Sequence, residues 1–516
     1  MAVLDAPRRL RRLRGWLRWH RVLGALACAA VVLWSLSGAM HPLMSRYQPR
    51  PANFTAPLLP ALPPDAPALS AILAAAGIVE VTHARLVQVD GQPHWQVAQP
   101  DASGLDYFNA ANGSPLADGE ARHARFLARH FLGQDSAPIA AVTRIEDFGG
   151  EYAWVNRLLP VYRVDFARPD GMRAYVEPRS AQLATLIDDR KALFNKVFVL
   201  FHTWRLPGLP EPLRLALAAL CLCAVTATPV LGIGVWLLRR GLPASGGLRR
   251  AHRVLGLGVA LAVVASGLSG AWHLAKGALD RGAGRQWPLR HTPIMAAAAL
   301  DTARLPAWSS PLLSLRLVEL EGRLYARQLA AAASPPAGGH GGHGDHAGHD
   351  RHAGHGAASP APVASYVALG GALTDEDAGA VTDADYALGL AAALVPRCGP
   401  PQPATPACVD APPAAAGLVE RFGGEYGFVN KLLPVWRFET GRTRLYLHPE
   451  TSALAARVTP ADYAEGWTFA TLHKWQALEF IGRWPRDVLQ MTWALMSALT
   501  ALLGLRLLLR KPGRQA

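Results

Sequence analysis

The chain has 516 residues, 51% of them hydrophobic and 17% charged, with a formal net charge of +14 at pH 7. That length holds several domains, and so apolar a composition excludes an ordinary soluble enzyme. The basic balance does not mark a nucleic-acid binder, because it sits in three clusters beside apolar runs: seven Arg and one Asp in residues 1–21, five Arg in 239–253, and three Arg with one Lys in 506–516.

Four apolar runs, Val22 to Met44, Leu213 to Leu238, Val254 to Leu274 and Val488 to Leu509, each have about the 20 residues that cross a bilayer as a helix. With the arginines held inside, both termini and the middle loop are cytoplasmic and the two long segments are exported. A cleavable signal peptide is the rival reading of the first run, since SLSGA follows the apolar core, but its copy from Arg253 to His273 is internal. The expected fold class is a membrane protein with four transmembrane α-helices in two parallel-topology repeats and two exported α+β domains. In chain order the divisions are 1–44, cytoplasmic N-terminus and first helix; 45–195, first exported domain; 196–240, interfacial segment and second helix; 241–275, cytoplasmic loop and third helix; 276–466, second exported domain; and 467–516, interfacial segment, fourth helix and cytoplasmic tail.

In the first exported segment VTHARLVQVDGQPHWQVAQ alternates around a Gly-Gln-Pro turn, DYFNAANGSPL reads as a strand and tight turn, EARHARFLARHFL has a helical period, and LPVYRVDF with MRAYVEP reads as a hairpin. The second repeats the end of this pattern in LPVWRFE and RLYLHPETSAL. Its middle carries HGGHGDHAGHDRHAGH, with His340, His343, His346, His349, His352 and His355 at every third position. Clustered imidazoles suit Zn, Cu, Ni or Fe, with Asp345 and Asp350 as helpers, and the bland reading is a low-complexity insertion. The first half has no copy of this loop, so the core mechanism is not expected to depend on it. Cys398 and Cys408 bracket a Pro-rich exported loop where one disulfide is expected, while Cys28, Cys221 and Cys223 read as apolar filler.

The chain is duplicated. FGGEYAWVNRLLPVYR, Phe148 to Arg163, returns as FGGEYGFVNKLLPVWR, Phe422 to Arg437, identical at 12 of 16 positions. His20 and His41 recur 232 residues later as His252 and His273, and His202 recurs 271 residues later as His473. Titratable rings at membrane depth are costly, which favours function over packing. His20 and His41 lie 21 residues apart, about 31 Å along a helix and within about 60° of one face. A pseudo-twofold axis along the membrane normal sets His20 opposite His252 and His41 opposite His273. Paired imidazoles from facing helices are natural ligands of a low-spin haem, and HRVLG and LSGA beside them supply glycines for close approach. Proton relay and direct metal transport are the competing readings. No CxxCH occurs, so the haem is expected to be b-type. His202 and His473, in FHTW and LHKW, complete an outer site with His41 or His273 or form a further one; the pairing stays open. Glu151, Tyr152, Asn156 and Arg163, with Glu425, Tyr426, Asn430 and Arg437, line a docking face, hold haem propionates or only form a turn network.

HRVLG with SG and a following His in two helices, EYxxVNxLLPV in duplicate, the turns YVEPRSAQL and YLHPETSAL, and HxW before LPG together resemble the PepSY-associated transmembrane family, the iron-regulated membrane proteins that include ferric-siderophore reductases. The resemblance covers nearly the whole chain, departing at EFIGRWPR and at the His-rich loop. It implies a bacterial inner-membrane protein with periplasmic PepSY-type domains and two b haems held among His20, His41, His202, His252, His273 and His473. It also implies electron transfer outward to periplasmic ferric chelates. No GxGxxG follows a strand, so the electrons are expected from quinol or a separate cytoplasmic donor. A membrane-anchored periplasmic metal-binding or sensing protein and a PepSY-type protease regulator are the alternatives. Both leave the duplication of helix histidines unexplained.

Overall fold

The structure, a computed structural model, describes residues 6–239, 246–282, 288–303, 305–306, 308, 311–331, 363–369, 381–395, 411–423 and 425–510. The His-rich segment His340 to His355 and the loop bearing Cys398 and Cys408 lie outside the described residues. The chain forms two compact units, one from residues 1–48, 190–285 and 460–516 and the other from 49–189 and 286–459.

The first unit is built on four long helices, Ala6–Tyr47, Glu211–Leu238, Gly247–Gly282 and Arg483–Leu509. Each contains a stretch long and apolar enough to cross a membrane. The first packs against the second and fourth, and so does the third, which sets the first and third on a diagonal. Large apolar side chains such as Leu26, Leu217, Leu261, Leu268 and Leu502 point outward, Leu261 with 81% of its surface exposed. An apolar exterior of that extent suits lipid rather than water. The hydroxyls of Thr226, Thr228, Ser497 and Thr500 return to the carbonyl four residues earlier in their own helix, which satisfies them without solvent.

The second unit departs from the expectation of two separate α+β domains, because both halves of the chain contribute to one central sheet. Its six strands run in the order Ala364–Ala368, Arg323–Ala330, Leu312–Leu320, His83–Val89, Gln92–Ala98, Asp106–Asn109. The two halves meet antiparallel, with Arg316 opposite Arg85. The flanking hairpins close on Asp90-Gly91 and Glu321-Gly322, all four residues at positive φ. Two such residues make the tight turn that matches strand twist, so the first turn lies one step before the Gly-Gln-Pro of the sequence reading. Four strands, Ile139–Ile145, Val161–Phe166, Arg173–Glu177 and Gln182–Ile187, form a second sheet. The helix Gly119–Phe131 packs Ala124, Leu127, Ala128 and Phe131 onto it, an apolar stripe at helical spacing. A third sheet holds Ala414–Val419, Val435–Thr440, Thr443–His448, Ala453–Val458 and Leu289–Arg290. Tyr386, Ala387, Leu390 and Ala391 of the helix Asp383–Leu394 pack with its Phe438, Leu445 and Leu447.

One face of the central sheet is apolar, with Leu86, Trp95, Leu315, Leu317 and Ala326 in its core. The other face is polar and yet buried. Reading across the strands, Tyr107, Gln96, Arg85, Arg316, Arg327 and Tyr366 form one row. At the outer end of the first half, Tyr107 and Gln96 are satisfied by neutral groups: Gln96 donates to the Tyr107 hydroxyl at 2.6 Å and to the Pro178 carbonyl at 3.0 Å, and His123 meets the same hydroxyl at 3.1 Å. In the second half charges take over. Arg327 grips Asp383 at 2.8 and 2.9 Å and also pairs with Glu450, which Arg85 approaches at 3.4 Å. Burial pushes the Glu450 carboxyl up, but Arg327, Arg85 and Arg316 outweigh it and hold it down at about 2.

Removing one partner of a buried charge network leaves the other uncompensated, so Glu450→Ala is expected to cost about 3–5 kcal/mol in denaturant unfolding. Because the folded carboxyl titrates below its ordinary value, its contribution is complete above about pH 4.3 and is lost as pH falls through about 2. Acid titration of stability in that window should therefore be shallower in Glu450→Gln than in the parent protein.

Candidate functional site

The four-helix unit brings its histidines together in pairs. His20 and His252 stand at the matching position of the two HRVLG copies, on the diagonal first and third helices. Their ring centres are 6.2 Å apart with planes at 55°. Nδ1 of His20 lies 3.0 Å from the Thr228 carbonyl on the second helix, and Nδ1 of His252 lies 3.0 Å from the Thr500 carbonyl on the fourth. A carbonyl only accepts, so each Nδ1 carries the proton and each Nε2 keeps its lone pair. Glycines make the room. A Cβ at Gly232 would lie 3.2 Å from Cε1 of His20, and one at Gly504 would lie 3.0 Å from Cε1 of His252. Thr228 and Gly232 recur as Thr500 and Gly504, a Thr-x-x-x-Gly signal that sequence reasoning missed. Gly24 and Gly256 complete the arrangement, each ideal Cβ position 3.6 Å from a methyl of Thr228 or Thr500.

The second pair comes from the segments that precede the second and fourth helices. His202 ends the helix Asp189–His202, and His473 ends the π-helical turn Phe469–His473. Their ring centres are again 6.2 Å apart, with planes at 86°. Ser37 donates its hydroxyl to the Leu33 carbonyl at 2.6 Å and so accepts from Nδ1 of His202 at 3.0 Å. Phe198 stacks on His202 at 4.5 Å and Phe469 on His473 at 4.9 Å, both at 15°. This duplicated Phe-x-x-x-His was also overlooked in the sequence. Burial first, and then neighbouring histidines, push the His202 and His473 rings down to about 4, which leaves both neutral.

His41 and His273 take other places. Each meets the phenylalanine of its own copy, His41 with Phe198 at 5.8 Å and His273 with Phe469 at 4.8 Å. His273 also binds the Glu465 carboxylate through Nδ1. Both rings are exposed. The expected opposition of His41 to His273 is therefore corrected: among the described ring contacts they do not meet, because a phenylalanine stands beside each and His202 and His473 take up the pairing.

Two imidazoles with ring centres 6.2 Å apart would serve as paired nitrogen ligands of a haem iron, and each couple offers such a set. The residues present fit a bis-imidazole haem twice. They do not fit a free metal ion, since among the described residues no three His, Cys, Asp or Glu side chains gather to hold one.

The duplicated EYxxVNxLLPV residues form a turn network. Tyr152 donates to the Leu158 carbonyl at 2.7 Å and Tyr426 to that of Leu432 at 2.8 Å, while Asn156 and Asn430 each donate to a carbonyl three residues back at 3.0 Å. Glu151 pairs with Arg173, Glu425 with Arg444, Arg163 with Asp165 and Arg437 with Glu439.

Because the Gly504 site is tight, Gly504→Val is expected to displace the His252 ring and to cost about 1–3 kcal/mol by overpacking. Thermal unfolding in detergent checks this, with Gly258→Ala as the control, since a Cβ there meets nothing within 4 Å. Compared with known proteins, the chain matches no family model, no curated protein and no solved structure.

Proposed function

We propose that this chain is a bacterial inner-membrane electron-transfer protein of the PepSY-associated transmembrane type, which binds two b haems and reduces ferric chelates on the periplasmic side. The observation that carries this reading is the pair of histidine couples, each 6.2 Å between ring centres, with Nδ1 of His20, His252 and His202 hydrogen-bonded. His20 with His252 would hold one haem, and His202 with His473 the other. Bound haem supplies the one-electron redox chemistry.

The chain's own residues provide the rest. The Thr228 and Thr500 carbonyls and the Ser37 hydroxyl fix the tautomer and orientation of the His20, His252 and His202 rings. Ser37, in contact with His202, is 17 residues beyond His20 on the same helix, about 25 Å along its axis. The two couples thus span most of the roughly 30 Å hydrocarbon layer. Apolar helix faces exclude water from both. With the arginine-flanked helix ends in the cytoplasm, the His20 couple lies toward the donor, quinol or a cytoplasmic protein, and the His202 couple lies toward the periplasmic side. The substrate is a ferric complex of the siderophore type. Reduction to Fe(II) weakens its hold by hard oxygen donors.

Detergent-purified protein, expressed with haem supplied, is expected to show a b-type spectrum that quantifies at two haems per chain by pyridine haemochrome and to reoxidise from the dithionite-reduced state when a ferric chelate is added. A colourless protein whose helix histidines are dispensable would overturn the proposal in favour of a membrane-anchored metal-binding or protease-regulating protein.

A further inference from the structure

The polar row of the central sheet carries more positive charge than its carboxylates remove. Arg85, Arg316 and Arg327 are all buried, and the acids paired with them are Asp383 and Glu450. Arg327 holds both. Arg85 meets Glu450 only at 3.4 Å, and Arg316, opposite Arg85 in register, donates to the backbone carbonyls of Pro449 and Glu450. Glu177, also within electrostatic reach of Arg85, is taken by Arg290 and by the Ser180 hydroxyl. The row thus keeps one guanidinium charge over, which is costly in a dry interior.

Two donors beside that charge have no acceptor. Arg85 reaches the Arg179 carbonyl through Nη1 at 3.4 Å, while its buried Nε bonds nothing. His123, on the helix Gly119–Phe131, has 1% of its surface exposed. Burial first, and then the Arg85 charge, hold its ring down at about 3, so it is neutral and has one N–H. The surrounding hydrogen bonds say where. Gln96 donates to the Tyr107 hydroxyl and to the Pro178 carbonyl, so that hydroxyl gives its own proton to Nδ1 of His123 at 3.1 Å. The imidazole proton is therefore on Nε2, which meets no acceptor among the described residues.

Arg85 and His123 line one cavity of about 10 Å³, which is room for a single water-sized particle. Apart from Gln88 the rest of its lining is apolar, Ala56, Leu59, Ala181 and Leu313 among it. A water that accepted from both donors would still need acceptors for its own two protons. A halide ion only accepts, and it brings the missing charge. We propose that this cavity is a buried halide site, in which chloride accepts from Nε of Arg85 and Nε2 of His123 and neutralises the arginine row. Arg85 belongs to the central sheet and His123 to the helix packed on the second sheet, so the ion ties the two layers together and makes the stability of the second unit depend on halide.

Thermal unfolding of the full-length protein in detergent, at constant ionic strength in mixtures of potassium gluconate with potassium chloride or bromide, tests this. The midpoint is expected to rise saturably with either halide, as a ligand of the folded state requires, and not with gluconate, which is too large for the cavity. In His123→Phe, which keeps the ring and loses the donor, the halide concentration for half the effect should be about tenfold higher, the loss of one hydrogen bond to a charged group. His123→Gln can accept from Tyr107 and donate to the cavity, and it should keep most of the affinity. Equal midpoints in chloride and gluconate would overturn the proposal, as would an unchanged halide response in His123→Phe. A response lost equally in the Phe and Gln variants assigns the effect to packing and counts against it too. Diffraction from crystals of the unmodified protein in bromide avoids any question of misfolded variants: an anomalous peak between Arg85 and His123 supports the site, and an ordered water there instead refutes it.

Discussion

A histidine ring inside an apolar helix bundle has two nitrogens and no water, and the first unit is arranged around that fact. In the couple on the diagonal helices the Nδ1 proton is given to a backbone carbonyl of a neighbouring helix, Thr228 for His20 and Thr500 for His252. The cost of a polar group at such depth is thereby half removed, and the remaining nitrogen is left as a lone pair. The helices come close enough for these bonds because glycine stands at Gly232 and Gly504, where a side chain would crowd an imidazole. Close packing and tautomer are one arrangement, repeated by duplication.

The two couples are not copies of one another in detail. The His20 couple draws both hydrogen bonds from backbone carbonyls, whereas His202 uses the Ser37 hydroxyl, and the equivalent Ser269 donates instead to the Thr468 carbonyl. Stacked phenylalanines hold the rings of the second couple from the side. The pairs therefore differ in mutual ring angle and in support, which would tune the potentials of the groups they hold. In the second unit one row across the central sheet passes from neutral hydrogen bonds at Tyr107 and Gln96 to an arginine and carboxylate network that Arg85 shares with Arg327 of the second half.

Much of this was legible in the residues. Four helices of membrane-crossing length follow from apolar runs of about 20 residues, and the diagonal facing of His20 and His252 follows from their equal placement in parallel repeats. What escaped was non-local. Arg85 and Arg316 lie in strands whose alternation looks like one wet face and one dry face, and arginine is read as exposed by default, so nothing local announces that distant groups such as Pro178, Asp383 and Glu450 cover the polar face. The pairing of His202 with His473 rather than His41 with His273 depends on Phe198 and Phe469, whose spacing to histidine is visible in the sequence but whose stacking is decided by the short turns before each helix. Thr-x-x-x-Gly was passed over because threonine and glycine in an apolar helix read as packing.

The central claim, two bis-imidazole haem sites of defined composition, is tested most directly by electron paramagnetic resonance of the oxidised protein and of four single variants, His20→Ala, His252→Ala, His202→Ala and His473→Ala. The account predicts two low-spin ferric signals in the parent, with one signal lost in both members of the first couple and the other lost in both members of the second. His41→Ala and His273→Ala should keep both signals. A signal that survives loss of either member of its couple, or one that disappears with His41 or His273 instead, would contradict it.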